Sequence, residues 1–133
     1  MNKAIADSVI RIPCQSLQGF FEQWFNMLRP IHKLSNTEIK LISTIVRFRY
    51  EFSLKISDKD LLDEWLMSAE TKQKIREACN MSPSSYQVSM FKLKKNKVIV
   101  DNKVNPKLIP NFAGGNYKLL LYFDVNDNGQ GKV

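Results

Sequence analysis

The residues best placed to do chemistry in this chain are lysines gathered in its second half. Residues 1–66 carry nine Lys or Arg against eight Asp or Glu, whereas residues 67–133 carry eleven against five. One short stretch, in which the single acidic residue is Asp101, holds six of these lysines: Lys92, Lys94, Lys95, Lys97, Lys103 and Lys107. Ammonium groups at this density attract polyanions, so the pattern favours DNA, RNA or an anionic surface as a partner. A solvated helix end would give the same pattern without a ligand.

Catalytic and metal-binding patterns are weak by comparison. His32 is the only histidine and has no companion Cys or Ser in a motif, which favours a structural role. The start of one helix explains the acidic cluster of Asp58, Asp60, Asp63 and Glu64. Residues 124–129 match the first half of a calcium loop, but no helix is predicted beside them, so we interpret 126–133 as a polar tail. We therefore expect no enzyme activity, no cofactor and no metal.

Composition indicates a single folded domain. The chain has 133 residues, of which 44% are hydrophobic and 25% charged, and its net charge is +7. No apolar run approaches the roughly 20 residues that a membrane span needs, and the N-terminus lacks a secretory pattern. We therefore expect no membrane contact and a cytoplasmic location, which is the host cytoplasm or the virion if a phage encodes the protein. Cys14 and Cys79 are expected to be two buried thiols, although their spacing leaves a disulfide open.

Residues 1–33 are predicted to form a strand and an aromatic helix. Val9 to Ile12 alternate as a short strand would. Ser16 then opens a helix that Pro30 should stop, with its inward face at helical spacing: Leu17, Phe20, Phe21, Trp24, Phe25 and Leu28. Such a face is larger than a satellite helix needs to anchor itself. We therefore expect part of it to contact another subunit or protein, through Phe20, Phe21, Trp24 and Phe25.

Two further helices should form the centre of the domain. Ser35 and Glu38 have the spacing of a capping box, which predicts a helix from there to about Phe52. Its apolar residues form two adjacent stripes, so the helix should pack on two sides. One stripe contains Leu41, Ile45, Phe48 and Phe52, and the other contains Ile39, Ile42, Val46 and Tyr50. The residues 57–60 begin another helix, whose inward residues are predicted to be Leu61, Leu62, Trp65 and Leu66.

A short helix, a tight turn and a longer helix are predicted before the hairpin. The lysine cluster begins in the last turn of the longer helix. Ser68 should cap the short helix, with Ile75, Ala78 and Cys79 inward, and Asn80 should end it in a left-handed conformation. Ser82 and Pro83 then begin the longer helix, 83–96, whose buried residues should be Tyr86, Met90 and Leu93. A strand over 98–100, a long loop over 101–116 and a second, antiparallel strand over 117–125 complete the prediction. Four side chains should be largely buried: Trp24, Ile45, Tyr86 and Leu93.

This stretch resembles the winged helix-turn-helix domains of bacterial and phage regulators and replication initiators. The matching residues are Ile75 and Ala78, Met81 and Ser82, Ser84 to Tyr86, and Leu93 to Ile99, and residues 34–39 resemble the start of the family's first helix. The resemblance covers 34–125 and implies a mainly α fold with a small antiparallel β-hairpin (α+β), here with the aromatic helix added in front. The sequence departs from the family pattern at two places. One is the additional helix at 57–66. The other is the position after the second helix, where Asn96 and Lys97 replace the usual glycine and Asn96 should adopt the left-handed conformation.

The resemblance also implies roles for individual residues. In the family the second helix of the motif enters the DNA major groove. Base edges would then meet Ser84, Ser85, Gln87 and Val88. Phosphates would meet Lys92, Lys94 and Lys95, with Lys103 and Lys107 on the wing. The expected function is that of a duplex-DNA-binding regulator or replication-associated protein that reads the major groove with helix 83–96. The alternative is a non-enzymatic structural or assembly protein, such as a phage virion or packaging component.

Overall fold

The computed structural model describes residues 8–121 and 123–125. In this part of the chain it is mainly helical with one small antiparallel sheet, so the predicted α+β composition is confirmed. The elements are α1 (Leu17–His32), α2 (Asn36–Ser53), α3 (Lys59–Leu66), α4 (Ala69–Ala78), α5 (Pro83–Lys95), β1 (Ile99–Val100), β2 (Lys103–Val104) and a 3₁₀ turn (Pro106–Leu108).

All of these elements lie in one compact unit, Pro13–Pro110. A second unit comprises Met1–Ile12 and Asn111–Val133. Its described residues contain no helix and no strand, so the strands predicted at 9–12 and 117–125 are wrong for the residues the structure describes. The polar tail predicted at 126–133 lies outside the described residues.

The helix α1 begins at Ser16, as predicted. The Ser16 hydroxyl accepts a hydrogen bond from the Gly19 amide at 3.0 Å. Pro30 lies inside the helix rather than ending it, because a proline near a helix end removes a single amide and Lys33 closes the last turn with φ 54°.

The inward face of α1 is centred on Phe21 and Phe25, whose exposed fractions are 1% and 0%. Both rings lie in the chain's own core, so the expectation that they contact a partner is wrong. Phe20 and Trp24 pack against that core but remain part-exposed, and Trp24 is therefore less buried than predicted. For these two residues the contact with another subunit stays a prediction.

The helix α2 is the centre of this unit. Its capping box is present as predicted, since the Glu38 amide donates to the Ser35 hydroxyl at 3.2 Å and the Ser35 amide donates to the Glu38 carboxylate at 3.1 Å. It packs against α1, α3, α4 and α5, and its two apolar stripes bury Ile42, Ile45 and Val46 almost completely. A helix that is apolar around most of its circumference must be covered on several sides, which explains this position.

The short helices α3 and α4 bury narrower faces than the sequence predicted. In α3, Leu62 and Leu66 are buried, but Leu61 is 51% exposed because an eight-residue helix covers only one stripe. In α4, Ala78 is exposed and Thr71 is buried. The buried positions of this segment follow a strict four-residue spacing, Thr71, Ile75 and Cys79, and that spacing leaves Ala78 at the side.

A tight hairpin follows α5. Ile99 pairs with Val104 and Val100 with Lys103, and the two residues between the strands, Asp101 and Asn102, have φ angles of 55° and 59°. Two positive φ angles are the geometry of a two-residue hairpin turn, which Asp and Asn tolerate without glycine. The predicted long loop over 101–116 is therefore wrong, because the return strand follows at once, and the described residues of 117–125, namely 117–121 and 123–125, form no strand.

Candidate nucleic-acid interface

The helix α5 has one fully packed face and one open face. Its inner residues Tyr86, Met90 and Leu93 are buried as predicted, together with Ser89, and the helix packs against α2. The Ser82 hydroxyl caps its start by accepting a hydrogen bond from the Ser85 amide at 3.1 Å. Leu93 is completely buried, so the rotation of α5 about its own axis is determined by the core. Its opposite face is consequently held outward.

The turn before α5 is anchored to α2. Asn80 adopts φ 56°, the predicted left-handed conformation, and the Met81 amide donates to the Arg76 carbonyl at 2.9 Å. The Cys79 thiol lies 3.9 Å from the Lys40 carbonyl of α2. Cys79 is buried as predicted, whereas Cys14 is exposed, contrary to prediction.

Burial around the turn before α5 favours the neutral forms of Cys79 and Tyr86. It raises the pKa of the Cys79 thiol above its ordinary value, against a smaller lowering effect of the hydrogen bond with Thr44. It also raises the pKa of the Tyr86 hydroxyl, with a further contribution from Cys79. Both groups therefore stay uncharged at neutral pH. These two side chains pack the start of α5 against the rest of the core.

All nine residues proposed from the sequence are exposed: Ser84, Ser85, Gln87, Val88, Lys92, Lys94, Lys95, Lys103 and Lys107. Successive residues turn about 100° around a helix axis, so Ser84, Val88 and Lys95 lie opposite the buried stripe of α5. Gln87 and Lys94 lie on one flank of this outer face. Ser85 and Lys92 lie on the other flank, so the helix presents polar, apolar and basic groups side by side.

The flank with Ser85 and Lys92 is turned towards the start of α2. Ser85 shares a shallow depression with Asn36 and Lys40, and the Lys92 ammonium lies 4.0 Å from the Glu38 carboxylate. Glu38 is already used by the capping box of α2. Lys92 thus has a nearby opposite charge, which makes it a weaker candidate for a phosphate contact than Lys94 or Lys95.

The other flank is turned towards the hairpin. An open depression of about 360 Å³ lies here, lined by Lys94, Lys97, Ile99, Val100, Asp101 and Asn102. Lys103 is exposed on β2, as expected for a residue of the wing. Lys107 is exposed as well, but it belongs to the 3₁₀ turn and not to the hairpin. The structure therefore brings Lys94 and Lys97 to the hairpin and leaves Lys107 beyond it.

The end of α5 differs from the sequence prediction in one residue. Asn96 has φ −90° and Lys97 takes the left-handed conformation, with φ 65°. The Val98 amide then donates to the Leu93 carbonyl at 2.9 Å, which closes the helix end. His32 adds a contact from α1, because its Nδ1 lies 3.3 Å from the Asn96 carbonyl. This contact agrees with the structural role expected for the histidine.

One residue of the outer face was missed by the sequence reasoning. The ring of Phe91 is 66% exposed, beside Val88, which is 56% exposed. A signal was available in the sequence, since Phe91 lies three residues after Val88 and off the stripe formed by Tyr86, Met90 and Leu93. Exposed aromatic side chains flanked by lysines are common where a protein meets bases or another protein.

Metal and membrane features were sought among residues 8–121 and 123–125. Within these ranges, His, Cys, Asp and Glu side chains form no group of three or more that suits a metal ion. The helices described there are all too short or too polar to cross a membrane.

Comparison with known proteins adds no relative. The chain matches no protein-family model, and neither a curated protein nor a solved structure is significantly similar to it. What the chain does must therefore be argued from its own residues.

Proposed function

We propose that this chain is a non-enzymatic nucleic-acid-binding protein that places the outer face of α5 in the major groove of duplex DNA. The observation that carries the proposal is the division of α5 into a face buried on α2 and an open face with lysines at its C-terminal end. A 13-residue helix is about 20 Å long, and the groove, about 12 Å wide, admits a helix. The exposed face of α5 therefore has a size and charge that suit the major groove.

The side chains divide by position along α5. Lys94 and Lys95 near its end, with Lys97 and Lys103 beside the hairpin, form the basic rim that would meet phosphates. Ser84 and Gln87, nearer the start, have hydrogen-bonding groups suited to base edges, since a Gln amide pairs with adenine through both of its polar atoms. The order of α4, turn, α5 and hairpin is also the order expected of a winged helix-turn-helix domain. A regulatory or replication role is proposed on that basis.

A second candidate is a structural or assembly role, for example in a virion. The exposed ring of Phe91 favours it, because apolar groups at the centre of a helix face also suit a protein partner. The two functions differ in their dependence on salt and on sequence. They can therefore be separated by one set of binding measurements.

The test measures binding of the full chain to a random-sequence duplex library at several salt concentrations. Each neutralised phosphate releases counterions, so Lys95→Ala should weaken binding to all duplexes and reduce the slope of log K against log salt by about one unit. Lys59→Ala on α3 is the matched control, because Lys59 is also exposed and its loss lowers the net charge by the same amount. An equal effect of both variants would mean that net charge alone drives binding.

Gln87→Ala tests sequence readout. On the tightest duplex selected from the library it should cost about 1–3 kcal/mol of binding free energy, with little effect on random duplex. Sequence-blind binding that disappears near physiological salt, with Gln87→Ala silent, would favour the assembly role. Failure of the wild-type chain to bind any duplex at low salt would refute the DNA-binding function.

A further inference from the structure

Val88 and Phe91 form an apolar ridge along the centre of the outer face of α5. Residues three apart on a helix are neighbours on its surface, about 5–6 Å between Cβ atoms. Both side chains are more than half exposed, and they lie between the polar start of the helix and its basic end. Neither can join the core, because that face of α5 is filled by Tyr86, Met90 and Leu93. The ridge is therefore available to a ligand.

The charge around the ridge indicates what kind of ligand this is. The helix α5 contains no Asp or Glu, and the basic rim adjoins the ridge because Lys94 and Lys95 follow Phe91 by three and four residues on the same helix. A covering surface must therefore combine negative charge at its edges with an apolar group at its centre. Phosphates at the edges and base edges between them have this arrangement in the major groove. The apolar group displayed there is the C5-methyl of thymine.

We propose that the ridge of Val88 and Phe91 contacts thymine methyl groups, and that the target is duplex DNA with thymine at neighbouring base pairs. The inference rests on the proposed DNA-binding function and names what that function recognises. Three residues of helix advance about 4.5 Å, close to the 3.4 Å rise of one base pair, so the two side chains would meet adjacent steps. RNA is disfavoured on two grounds, because uracil lacks the methyl group and the major groove of an A-form helix is too narrow.

The experiment uses the tightest duplex selected from the library and a twin in which every dT is replaced by dU. The twin keeps all charges and base pairs and loses the methyl groups. Burying one methyl contributes about 0.8 kcal/mol, so wild-type affinity should fall about fourfold for each methyl contacted. Phe91→Ala should weaken binding to the dT duplex by a similar factor. That variant should then discriminate between dT and dU about fourfold less than the wild-type chain, because only the methyl contact of Val88 remains.

Leu61→Ala is the matched control, since Leu61 is an exposed apolar residue of α3, away from α5. It should change neither the affinity nor the ratio between dT and dU duplexes. If Phe91→Ala folds poorly, the ratio of the wild-type affinities for the dT and dU duplexes still tests the thymine contact, because that ratio needs no variant.

The outcomes separate the inference from the function beneath it. Absence of binding to any duplex at low salt refutes the DNA-binding function itself. Tight binding with equal affinity for the dT and dU duplexes, or selection of a duplex without adjacent thymines, overturns the thymine contact and leaves DNA binding standing. A loss of affinity in Phe91→Ala that is equal for both duplexes, with the wild-type discrimination retained, also overturns it and indicates a ridge that meets a different group.

Discussion

The helices α1 and α5 both carry aromatic side chains, but they place them in opposite environments. In α1, the helix with the denser aromatic pattern, Phe21 and Phe25 are buried in the core. In α5, Phe91 stands 66% exposed on the face that carries the lysines. The contrast shows that aromatic density alone does not identify a binding surface. What matters is whether another element covers the ring: α2 packs against the inner face of α1, while one face of α5 stays open.

The helix α1 also helps to hold the candidate interface in place. The Trp24 indole Nε1 donates a hydrogen bond to the Leu108 carbonyl at 2.7 Å, in the 3₁₀ turn that follows the hairpin. At the C-terminal end of α1, His32 contacts the Asn96 carbonyl at the end of α5. The aromatic helix thus braces the 3₁₀ turn after the hairpin and the end of α5. The helix α1 therefore supports α5, the helix that carries the candidate interface.

The largest expected effect is the loss of a buried ring from α1. Phe25→Ala should lower the free energy of unfolding by about 3–5 kcal/mol, because it removes a large apolar group and leaves a cavity in the core. Phe91→Ala removes the same atoms from an exposed site and should stay within about 0.5 kcal/mol of wild type. Urea denaturation followed by circular dichroism measures both. Equal destabilisation would mean that the rings of Phe25 and Phe91 do not differ in burial.

A second comparison tests the two faces of α5. Leu93→Ala on the inner face should cost about 2–5 kcal/mol of stability. Val88→Ala on the outer face should change stability little, since its side chain is more than half exposed. Thermal melts of the two variants are the measurement. A Leu93→Ala protein that melts like wild type would show that the helix is rotated relative to the core.

The smallest expected effect concerns the brace between α1 and the 3₁₀ turn. Trp24→Phe keeps an aromatic ring but removes the donor to the Leu108 carbonyl, and a typical hydrogen bond contributes about 0.5–1.5 kcal/mol. Exchange of the backbone amides of residues 107–109, which are hydrogen-bonded in this turn, should accelerate more than exchange elsewhere. Trp65→Phe on α3 is the control and should leave these amides unaffected. Unchanged exchange in Trp24→Phe would show that the 3₁₀ turn is held by other contacts.

Helix starts could be predicted because the chemistry that sets them is local. The helices that follow are capped by Ser16, Ser35, Ser68 and Ser82, as predicted, and Asp58 caps α3 within the start predicted at 57–60. An N-cap needs only an oxygen acceptor within three residues of the amides it satisfies, so a few neighbouring residues decide it. The inner stripe of α5 and the central position of α2 followed in the same way from helical periodicity.

The candidate site was predictable to the same extent. Lysine clustering and the turn before α5 located the surface, and all nine proposed residues proved to be exposed. The loose ion pair of Lys92 with Glu38 was not predictable, because its partner lies 54 positions earlier in the chain. The role of α1 as a brace was likewise hidden, since Trp24 and Leu108 are 84 residues apart.

The sequence by itself determined the helices, their caps and the basic character of the second half, because spacing and composition act over a few residues. Tertiary structure alone decided which apolar residues stay exposed and which strands pair. Phe21 and Phe91 belong to the same residue type, and only the presence or absence of a covering helix distinguishes them. Residues 9–12 alternate like a strand yet have no strand conformation in the structure, whereas Lys103–Val104 forms a strand because a two-residue turn returns it to β1. A strand requires a partner, and burial requires a neighbour, so both depend on parts of the chain that local patterns do not reach.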